Sequence, residues 1–253
     1  MYRSMSAVSR RFIKANGKVL TFKEVESSGR SIHLMMNSIQ DIQFDKPMFQ
    51  HPFTCIIGGP TNSGKTVHMK RLIEHIDALV TPQIQEIIYC YALWQPEYVR
   101  IQQVNSRVKF EKGLPDFESF DVGVRRLIVI DDMISELNSQ IETMFIRGSH
   151  HLDMSICLIT QNIFSRVKSF RNLSLNAHYL VCFKQPRDAS QIMHLAKQFC
   201  PRNTKYVIDA FYKATQEPFG YLLFDFRQTT PEILRLRTKI FPGENLVVYI
   251  PKQ

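Results

Sequence analysis

The sequence predicts an α/β domain whose mostly parallel central sheet is flanked by helices. Over most of the chain, short apolar runs of the kind that form buried strands alternate with amphipathic segments of helical length. A glycine-containing phosphate-binding motif lies between one such strand and one such helix. A second strand-like run, Leu127 to Ile130, ends in two aspartates. These observations predict a single P-loop domain over residues 51–253, preceded by a basic N-terminal arm over residues 1–50.

The arm is characterised by its charge. The arm contains one short predicted strand, over residues 18–22. The whole chain carries a net charge of +9, which indicates a polyanionic partner such as nucleic acid. The segment is compatible with a DNA-contacting arm, a docking tail, a nuclear import signal, a mitochondrial transit peptide or a solvated terminus. The basic residues that precede the first acidic residue, Glu24, are Arg3, Arg10, Arg11, Lys14, Lys18 and Lys23.

The phosphate-binding motif follows a buried strand predicted over residues 53–57 and opens a helix predicted over 65–80. Backbone N–H groups and the positive end of the helix dipole converge on a β-phosphate in such a loop. Lys65 adds a positive charge toward the β- and γ-phosphates, and the Thr66 hydroxyl is suited to Mg²⁺. The sequence therefore predicts binding of a nucleoside triphosphate, ATP, with Mg²⁺. The motif G-x-x-x-x-G-K-T consists of Gly59, Pro60, Thr61, Asn62, Ser63, Gly64, Lys65 and Thr66.

Further elements follow in alternation. We predict strands over residues 84–92, 108–111 (an edge strand), 127–131, 155–160, 177–183 and, as the last strand, 221–226. Helices are predicted over residues 96–104, after the capping residue Ser135, and over 189–199 and 205–214. Residues 113–121 are predicted to form a loop.

The strand over 127–131 has the form of a Walker B motif, in which apolar residues end in an acid at the carboxyl edge of a parallel sheet. Asp131 is predicted to join Thr66 in the Mg²⁺ shell. Asp132 occupies the position at which many ATPases carry a glutamate that activates the attacking water. Glu136 is an alternative for that base.

The strand over 155–160 ends in Thr160-Gln161-Asn162. Motor-type ATPases insert an extra strand between the P-loop strand and the Walker B strand and carry a polar residue at such a tip. Gln161 is therefore predicted to lie between the two strand ends, where it senses the γ-phosphate or positions water. Nucleotide kinases usually place the two strands side by side. The pattern predicts an additional-strand, catalytic-acid P-loop NTPase of the RecA-like type.

Cysteine content and hydropathy indicate the cellular compartment of the protein. The five cysteines show no C-x-x-C spacing, and most lie in apolar runs, which indicates buried thiols in a reducing compartment. No apolar stretch is long enough to span a bilayer, so we expect an intracellular protein that is neither secreted nor membrane-bound. The adjacent His150 and His151 lack partners at metal-ligand spacing and are not predicted to bind metal.

The order of motifs resembles the FtsK–HerA superfamily of DNA-pumping ATPases. Within it, the chain is similar to the short genome-packaging ATPases of large eukaryotic DNA viruses and of Polinton (Maverick) or adintovirus-like elements. The resemblance covers about residues 52–242. It is carried by the P-loop, by L-I-V-I-D-D, by R-G-S-H-H-L-D-M-S-I-C-L-I-T-Q-N and by R-N-L-S-L-N-A-H-Y-L-V-C-F-K.

The resemblance implies a homo-oligomeric ring that hydrolyses ATP while threading double-stranded DNA into a capsid, with capsid or portal-type proteins as partners. It implies residence in the host nucleus or a cytoplasmic virus factory, with association with the virion left open. It also implies an arginine finger donated to the neighbouring subunit. Arg147 matches that role best, and Arg166, Arg171 and Arg187 are the alternatives.

DNA threading needs sequence-neutral phosphate contacts rather than base recognition. Two different functions stay open at this stage. A nucleotide or nucleoside kinase would also need a P-loop and Mg²⁺, and a non-hydrolysing P-loop scaffold of a capsid assembly would need no catalytic acid. The candidate DNA contacts are Lys109, Lys112, Arg166, Lys168 and Arg171.

Overall fold

A large mixed sheet runs through the molecule in the computed structural model, which describes residues 10–15, 18–25, 31–35, 48–133, 141, 145, 153–163 and 168–251. Within these residues the sheet has 12 strands, and a separate two-stranded sheet lies beside it. The strands are β1 Arg10–Ala15, β2 Lys18–Val25, β3 Ser31–Met35, β4 Phe49–Gln50, β5 Thr54–Gly58, β6 Val80–Thr81, β7 Glu86–Tyr91, β8 Val108–Lys112, β9 Arg126–Asp131, β10 Met154–Thr160, β11 Tyr179–Phe183, β12 Tyr221–Asp225, β13 Leu236–Thr238 and β14 Val247–Pro251. The helices are α1 Lys65–Glu74, α2 Ile76–Leu79, α3 Glu97–Val104, α4 Lys168–Asn176, α5 Ser190–Phe199 and α6 Thr204–Ala214.

The half of the sheet that carries the predicted motifs is parallel, in the order β11-β5-β10-β9-β7-β8. Strand β10 lies between the P-loop strand β5 and the Walker B strand β9, since Cys157 pairs with Cys55 on one side and with Val129 on the other. The carboxyl ends of the three strands therefore meet at one edge. This order confirms the predicted α/β fold and its additional strand.

Both faces of the parallel half are covered because consecutive strand residues point in opposite directions. Cys55 and Ile57 belong to one buried cluster, which includes the apolar faces of α1 and α3. Ile56 belongs to the other buried cluster, on which α5 and α6 pack. The apolar side chains of these four helices that enter the clusters include Met69, Leu72, Tyr98, Ile101, Ile192, Leu195, Tyr206 and Val207.

The other half of the sheet is antiparallel, in the order β12-β13-β14-β3-β2-β1. The prediction that the strand at 221–226 is the last one was wrong, because β13 and β14 follow it. Strand β13 has only three residues, whereas the Val-Val-Tyr-Ile run of β14 has the β-branched and aromatic composition of a strand and was missed. Strand β3 pairs with β14. The division of the chain at residue 50 stays a prediction.

The single helix predicted over 65–80 was also wrong in its extent. Helix α1 ends at Glu74, His75 leaves helical geometry with φ −108° and ψ 23°, and the short α2 follows. Val80 then lies in β6, where it pairs with Phe49 of β4. The spacing of the buried apolar residues over 65–80 is compatible with one continuous helix and also with a helix interrupted at His75. The pairing of Val80 with β4 favours the interrupted form.

The predicted helix after Ser135 lies mostly outside the described residues, although Ile141 and Phe145 are described and both are buried. Across the described part of the chain, no helix is both long enough and apolar enough to cross a membrane.

Candidate nucleotide site

The P-loop connects β5 to α1 at the carboxyl edge of the parallel strands. Two of its residues have positive φ, Asn62 at 62° and Gly64 at 101°, and α1 begins directly after Gly64. The Ser63 N–H donates to the Pro60 carbonyl over 3.2 Å, and the Gly59 N–H donates to the Thr160 carbonyl of β10 over 3.2 Å. The loop is therefore attached to the strand that carries Gln161.

Glycine at position 59 is required by close packing. A Cβ atom there would lie 2.6 Å from Cβ of Phe183 and 2.7 Å from Oγ of Ser63, which is closer than such atoms approach in proteins. The loop thus lies directly against the end of β11. The Ser63 Oγ is buried and has no hydrogen-bond partner among the described residues. An unsatisfied buried hydroxyl in the loop is suited to a phosphate oxygen.

Lys65 turns back over its own loop. Its Nζ donates to the Gly59 carbonyl over 2.7 Å and to the Pro60 carbonyl over 2.9 Å. Partial burial lowers the pKa of Lys65, and the negative charges of Asp132 and Asp131 act in the opposite direction. The ammonium group is therefore near the loop and within electrostatic reach of both acids.

Asp131 lies at the end of β9 with only 4% of its surface exposed. Its Oδ2 accepts hydrogen bonds from the Tyr89 hydroxyl over 2.7 Å and from the Tyr98 hydroxyl over 3.0 Å. Burial raises the pKa of Asp131, while the two hydroxyl donors act to lower it. Because these donors favour the charged carboxylate, they offset part of the desolvation that the site imposes.

The two tyrosines were missed by the sequence analysis. Tyr89 is in β7, and Tyr98 is in α3, which packs on the same face of the sheet. They reach Asp131 because β7 lies between β8 and β9 and so pairs directly with the strand that carries Asp131. The one sequence signal was the presence of tyrosines among the apolar residues of these two elements, where a buried hydroxyl needs a partner.

Asp132 and Gln161 meet in front of the strand ends. Gln161 Nε2 donates to Oδ2 of Asp132 over 2.9 Å, and both side chains are exposed to solvent. Asp132 has φ 53°, and its N–H donates to the Ile159 carbonyl of β10 over 3.2 Å. The left-handed backbone turns Asp132 away from the strand direction and toward Gln161. The roles assigned to both residues stay predictions.

Within the part of the chain that it describes, the structure does not bring the remaining residues that the sequence analysis named into this group. Glu136, Arg147, His150, His151 and Arg166 lie outside the described residues. Lys168 and Arg171 are in α4, but their side chains lie outside the described part. Arg187 is exposed in the loop between β11 and α5.

The two lysines of β8 differ in their surroundings. Lys109 donates to Glu86 over 2.6 Å, so its charge is already paired, although 73% of its side chain is exposed. Lys112 is also exposed, at the end of the same strand. Of the two, Lys112 is the better suited to contact a phosphate backbone.

The donor set fits Mg²⁺ bound together with a nucleotide. A threonine hydroxyl and a carboxylate are hard oxygen ligands, and Mg²⁺ is usually held by one or two carboxylates together with phosphate and water oxygens. Thr66 is in the first turn of α1, and Asp131 ends β9 at the same edge of the sheet. The described residues contain no cluster of three or more His, Cys, Asp or Glu side chains that could bind a metal without such help.

No family model matches the sequence, and no curated protein is significantly similar to it. The genome packaging NTPase B204 from Sulfolobus turreted icosahedral virus 2, in complex with AMPPCP, has a TM-score of 0.49 at 15% identity over 71% of this chain and 95% of that chain. The cytoplasmic domain of the Type VII secretion ATPase EccC from Thermomonospora curvata has a TM-score of 0.50 at 13% identity. That similarity covers 78% of this chain and 25% of the EccC chain. The likeness to EccC concerns the fold alone, and that fold is the α/β fold of P-loop NTPases.

Proposed function

We propose that this chain is an ATPase that uses ATP hydrolysis to move double-stranded DNA into a capsid. The observation that supports the ATPase most directly is the meeting of three strand ends at one edge of the sheet. Strand β5 leads to Lys65, β9 ends in Asp131 and is followed by Asp132, and β10 is followed by Gln161, which donates to Asp132 over 2.9 Å.

Each residue has a defined task in this proposal. The loop N–H groups and Lys65 bind the β- and γ-phosphates, and the N-terminal end of α1 favours their negative charge. Thr66 and Asp131 would hold Mg²⁺, which reduces the negative charge of the phosphates when it is bound. Asp132 accepts a proton from the attacking water, and Gln161 orients both the water and the Asp132 carboxylate.

Coupling to DNA is supported by charge and by the resemblance of the motifs. The net charge of +9 favours a polyanion, and sequence-neutral translocation requires only phosphate contacts. Among the residues that the structure describes, Lys112 is our leading candidate for such a contact. A homo-oligomeric ring with Arg147 as the finger in trans, capsid or portal-type partners, and residence in the nucleus or a cytoplasmic virus factory belong to the same proposal.

The test is the ATPase rate with and without double-stranded DNA, at low and at moderate salt. We expect DNA to stimulate turnover, the stimulation to fade as salt rises, and Lys65→Ala to abolish it. Lys70→Ala is the matched control, because Lys70 lies on the same helix and pairs with Glu74 over 3.6 Å. Asp132→Asn should still bind ATP while losing turnover.

Two results would contradict the proposal. Turnover that ignores DNA but requires a small phosphate acceptor would identify a kinase. ATP binding without turnover, even when DNA and capsid protein are both supplied to complete the assembly, would identify a non-hydrolysing scaffold.

A further inference from the structure

Phe219 has an unusual conformation for a large apolar residue. Its φ is 61°, in the left-handed region that bulky side chains avoid, and 70% of its surface is exposed. The strain is not offset by burial of the ring. Backbone strain of this kind persists where the surrounding structure imposes it, and such positions cluster at binding sites.

The turn that holds Phe219 is tightly built. A Cβ atom at Gly220 would lie 2.4 Å from the Ala214 carbonyl oxygen and 3.0 Å from that of Glu217, so only glycine fits there. The Gly220 N–H donates to the Glu217 carbonyl over 3.1 Å. This geometry fixes the direction in which the chain leaves Phe219 and enters β12.

The same turn lies at the nucleotide edge of the sheet. Tyr221, the first residue of β12, pairs with Phe183, the last residue of β11, because these two strands are antiparallel. A Cβ atom at Gly64 of the P-loop would lie 3.2 Å from Cδ1 of Phe219 and 3.4 Å from its Cβ. The exposed ring is therefore next to the residue that precedes Lys65, on the side of β5 opposite to β10 and β9.

We infer that the Phe219 ring is a stacking platform for the base of the bound nucleotide. Asp132 and Gln161 occupy the β9–β10 side of the loop, where the γ-phosphate reacts, so the ribose and base extend to the other side, toward β11 and β12. This inference rests on the proposed binding of a nucleoside triphosphate by the P-loop. Stacking uses the face of a base rather than its edge, so the platform accepts any base and favours purines, whose faces are larger.

The experiment compares a nucleotide with a ligand that lacks a base. Isothermal titration calorimetry gives the dissociation constants of ATP, CTP and inorganic tripolyphosphate, each with Mg²⁺, for the full chain. Phe219→Asn removes the ring while keeping a residue that tolerates positive φ, so its fold should be at least as stable as the wild type. Phe219→Tyr keeps an aromatic face, and Leu175→Ala controls for loss of an exposed apolar side chain elsewhere.

We expect Phe219→Asn to weaken ATP binding by roughly 5- to 150-fold, the range found when a stacking aromatic is removed, and to leave tripolyphosphate binding unchanged. Phe219→Tyr and Leu175→Ala should bind ATP like the wild type, and CTP should bind more weakly than ATP.

Unchanged ATP affinity in Phe219→Asn would refute the proposed stacking of Phe219 on the base, even if the variant altered the oligomeric state. An equal loss of ATP and tripolyphosphate binding would also overturn it, since Phe219 would then support the shape of the loop. Either result leaves the P-loop function intact. A wild-type chain that binds neither ligand, and is unaffected by Lys65→Ala, would instead refute the proposed function and the platform with it.

Discussion

At the residue scale, the most consequential contacts are those that hold Asp131. A buried carboxylate at the end of a strand is costly unless donors compensate it, and here Tyr89 and Tyr98 supply two hydroxyl groups to one oxygen. With Oδ2 committed to the tyrosines, the orientation of the carboxylate is determined. In the proposed site, Asp131 would help to hold Mg²⁺ through Oδ1, the oxygen to which neither tyrosine donates.

Tyr98→Phe tests this arrangement, because it removes one donor and keeps the ring among its aromatic neighbours. We expect the Mg²⁺ concentration for half-maximal ATPase activity to rise roughly 10-fold, as for other residues that orient metal ligands. Since the hydroxyl lowers the pKa of Asp131 against the effect of burial, its loss should also move the acidic fall-off of activity to higher pH. The measurement is the ATPase rate as a function of Mg²⁺ and of pH.

Tyr91→Phe is the matched control for that experiment, because Tyr91 belongs to the same aromatic cluster and its hydroxyl is not one of the two donors to Asp131. A Tyr98→Phe enzyme with wild-type Mg²⁺ dependence and an unchanged pH profile would show that Tyr89 alone positions the carboxylate.

At the scale of elements, β12 and β13 are joined by a buried ion pair. Arg237 donates to Asp225 over 2.7 Å, and the two side chains are 5% and 3% exposed. Arg237 Nε is buried and has no hydrogen-bond partner within the described part of the chain. The pair fixes how these strands meet, and it is vulnerable to the loss of either partner.

We expect Asp225→Leu to destabilise the fold by about 3–5 kcal/mol, because it leaves the guanidinium charge buried without a counter-charge. The double variant Asp225→Leu, Arg237→Met should lose less, since it removes both charges. Urea denaturation gives the free energies of unfolding. For comparison, Glu244→Gln breaks the half-exposed pair with Arg71 and should cost no more than about 1 kcal/mol. Equal losses in the single and double variants would contradict this account.

Helix α1 contains a second buried polar group, His68, whose ring lies against Phe183, Tyr221 and Phe241. Burial lowers the pKa of His68 to about 3 from its ordinary value of 6.5. Between these two values the unfolded chain binds a proton that the folded chain does not. The contribution of His68 to stability is therefore complete above pH 6.5 and is lost as the pH falls toward 3.

His68→Phe should accordingly flatten the pH dependence of stability. We expect the free energy of unfolding of the variant to fall less steeply from pH 6.5 downward, by up to about 1.4 kcal/mol per pH unit. Urea denaturation at several pH values between 4 and 7 measures it. Parallel curves for the variant and the wild type would show that another group causes the acid sensitivity.

At the scale of the whole molecule, segments from both ends of the described chain share the central sheet. Strand β14 pairs with β13 on one side and with β3 on the other, so β3 covers an edge that would otherwise be unpaired. Unpaired edges of this kind promote association between chains. We therefore expect the arm predicted for residues 1–50 to keep the protein soluble, because its strand β3 covers the edge of β14, in addition to any role in binding a partner.

A truncation that removes residues 1–46 should expose β14. We expect aggregation and a lower melting temperature, measured by light scattering and thermal unfolding. A deletion of residues 1–9, which leaves β1–β3 in place, is the matched control and should behave like the full chain. A monodisperse truncated protein with unchanged stability would instead support a boundary at residue 50.

The parts of the fold that the sequence could predict are those with strong local signals. The P-loop, the Walker B strand and the polar tip of β10 each carry their own pattern, and their order in the chain indicated the additional strand. The tyrosines on Asp131 and the aromatic ring beside Gly64 depend on which strands become neighbours, and no local pattern reports that. Strand β13 has only three residues, too few for a periodic signal, and its pairing with β12 is reinforced by the Asp225–Arg237 contact.

In the proposed ATPase, the two hydrogen bonds from Lys65 to the Gly59 and Pro60 carbonyls affect how tightly a nucleotide is held. A phosphate oxygen that binds Lys65 does so in competition with carbonyl groups that are always present at high local concentration. The same carbonyls are available to receive the ammonium group as the reaction product leaves. In the proposed ATPase, the loop therefore contains its own competitor for Lys65, which lowers the affinity for bound nucleotide.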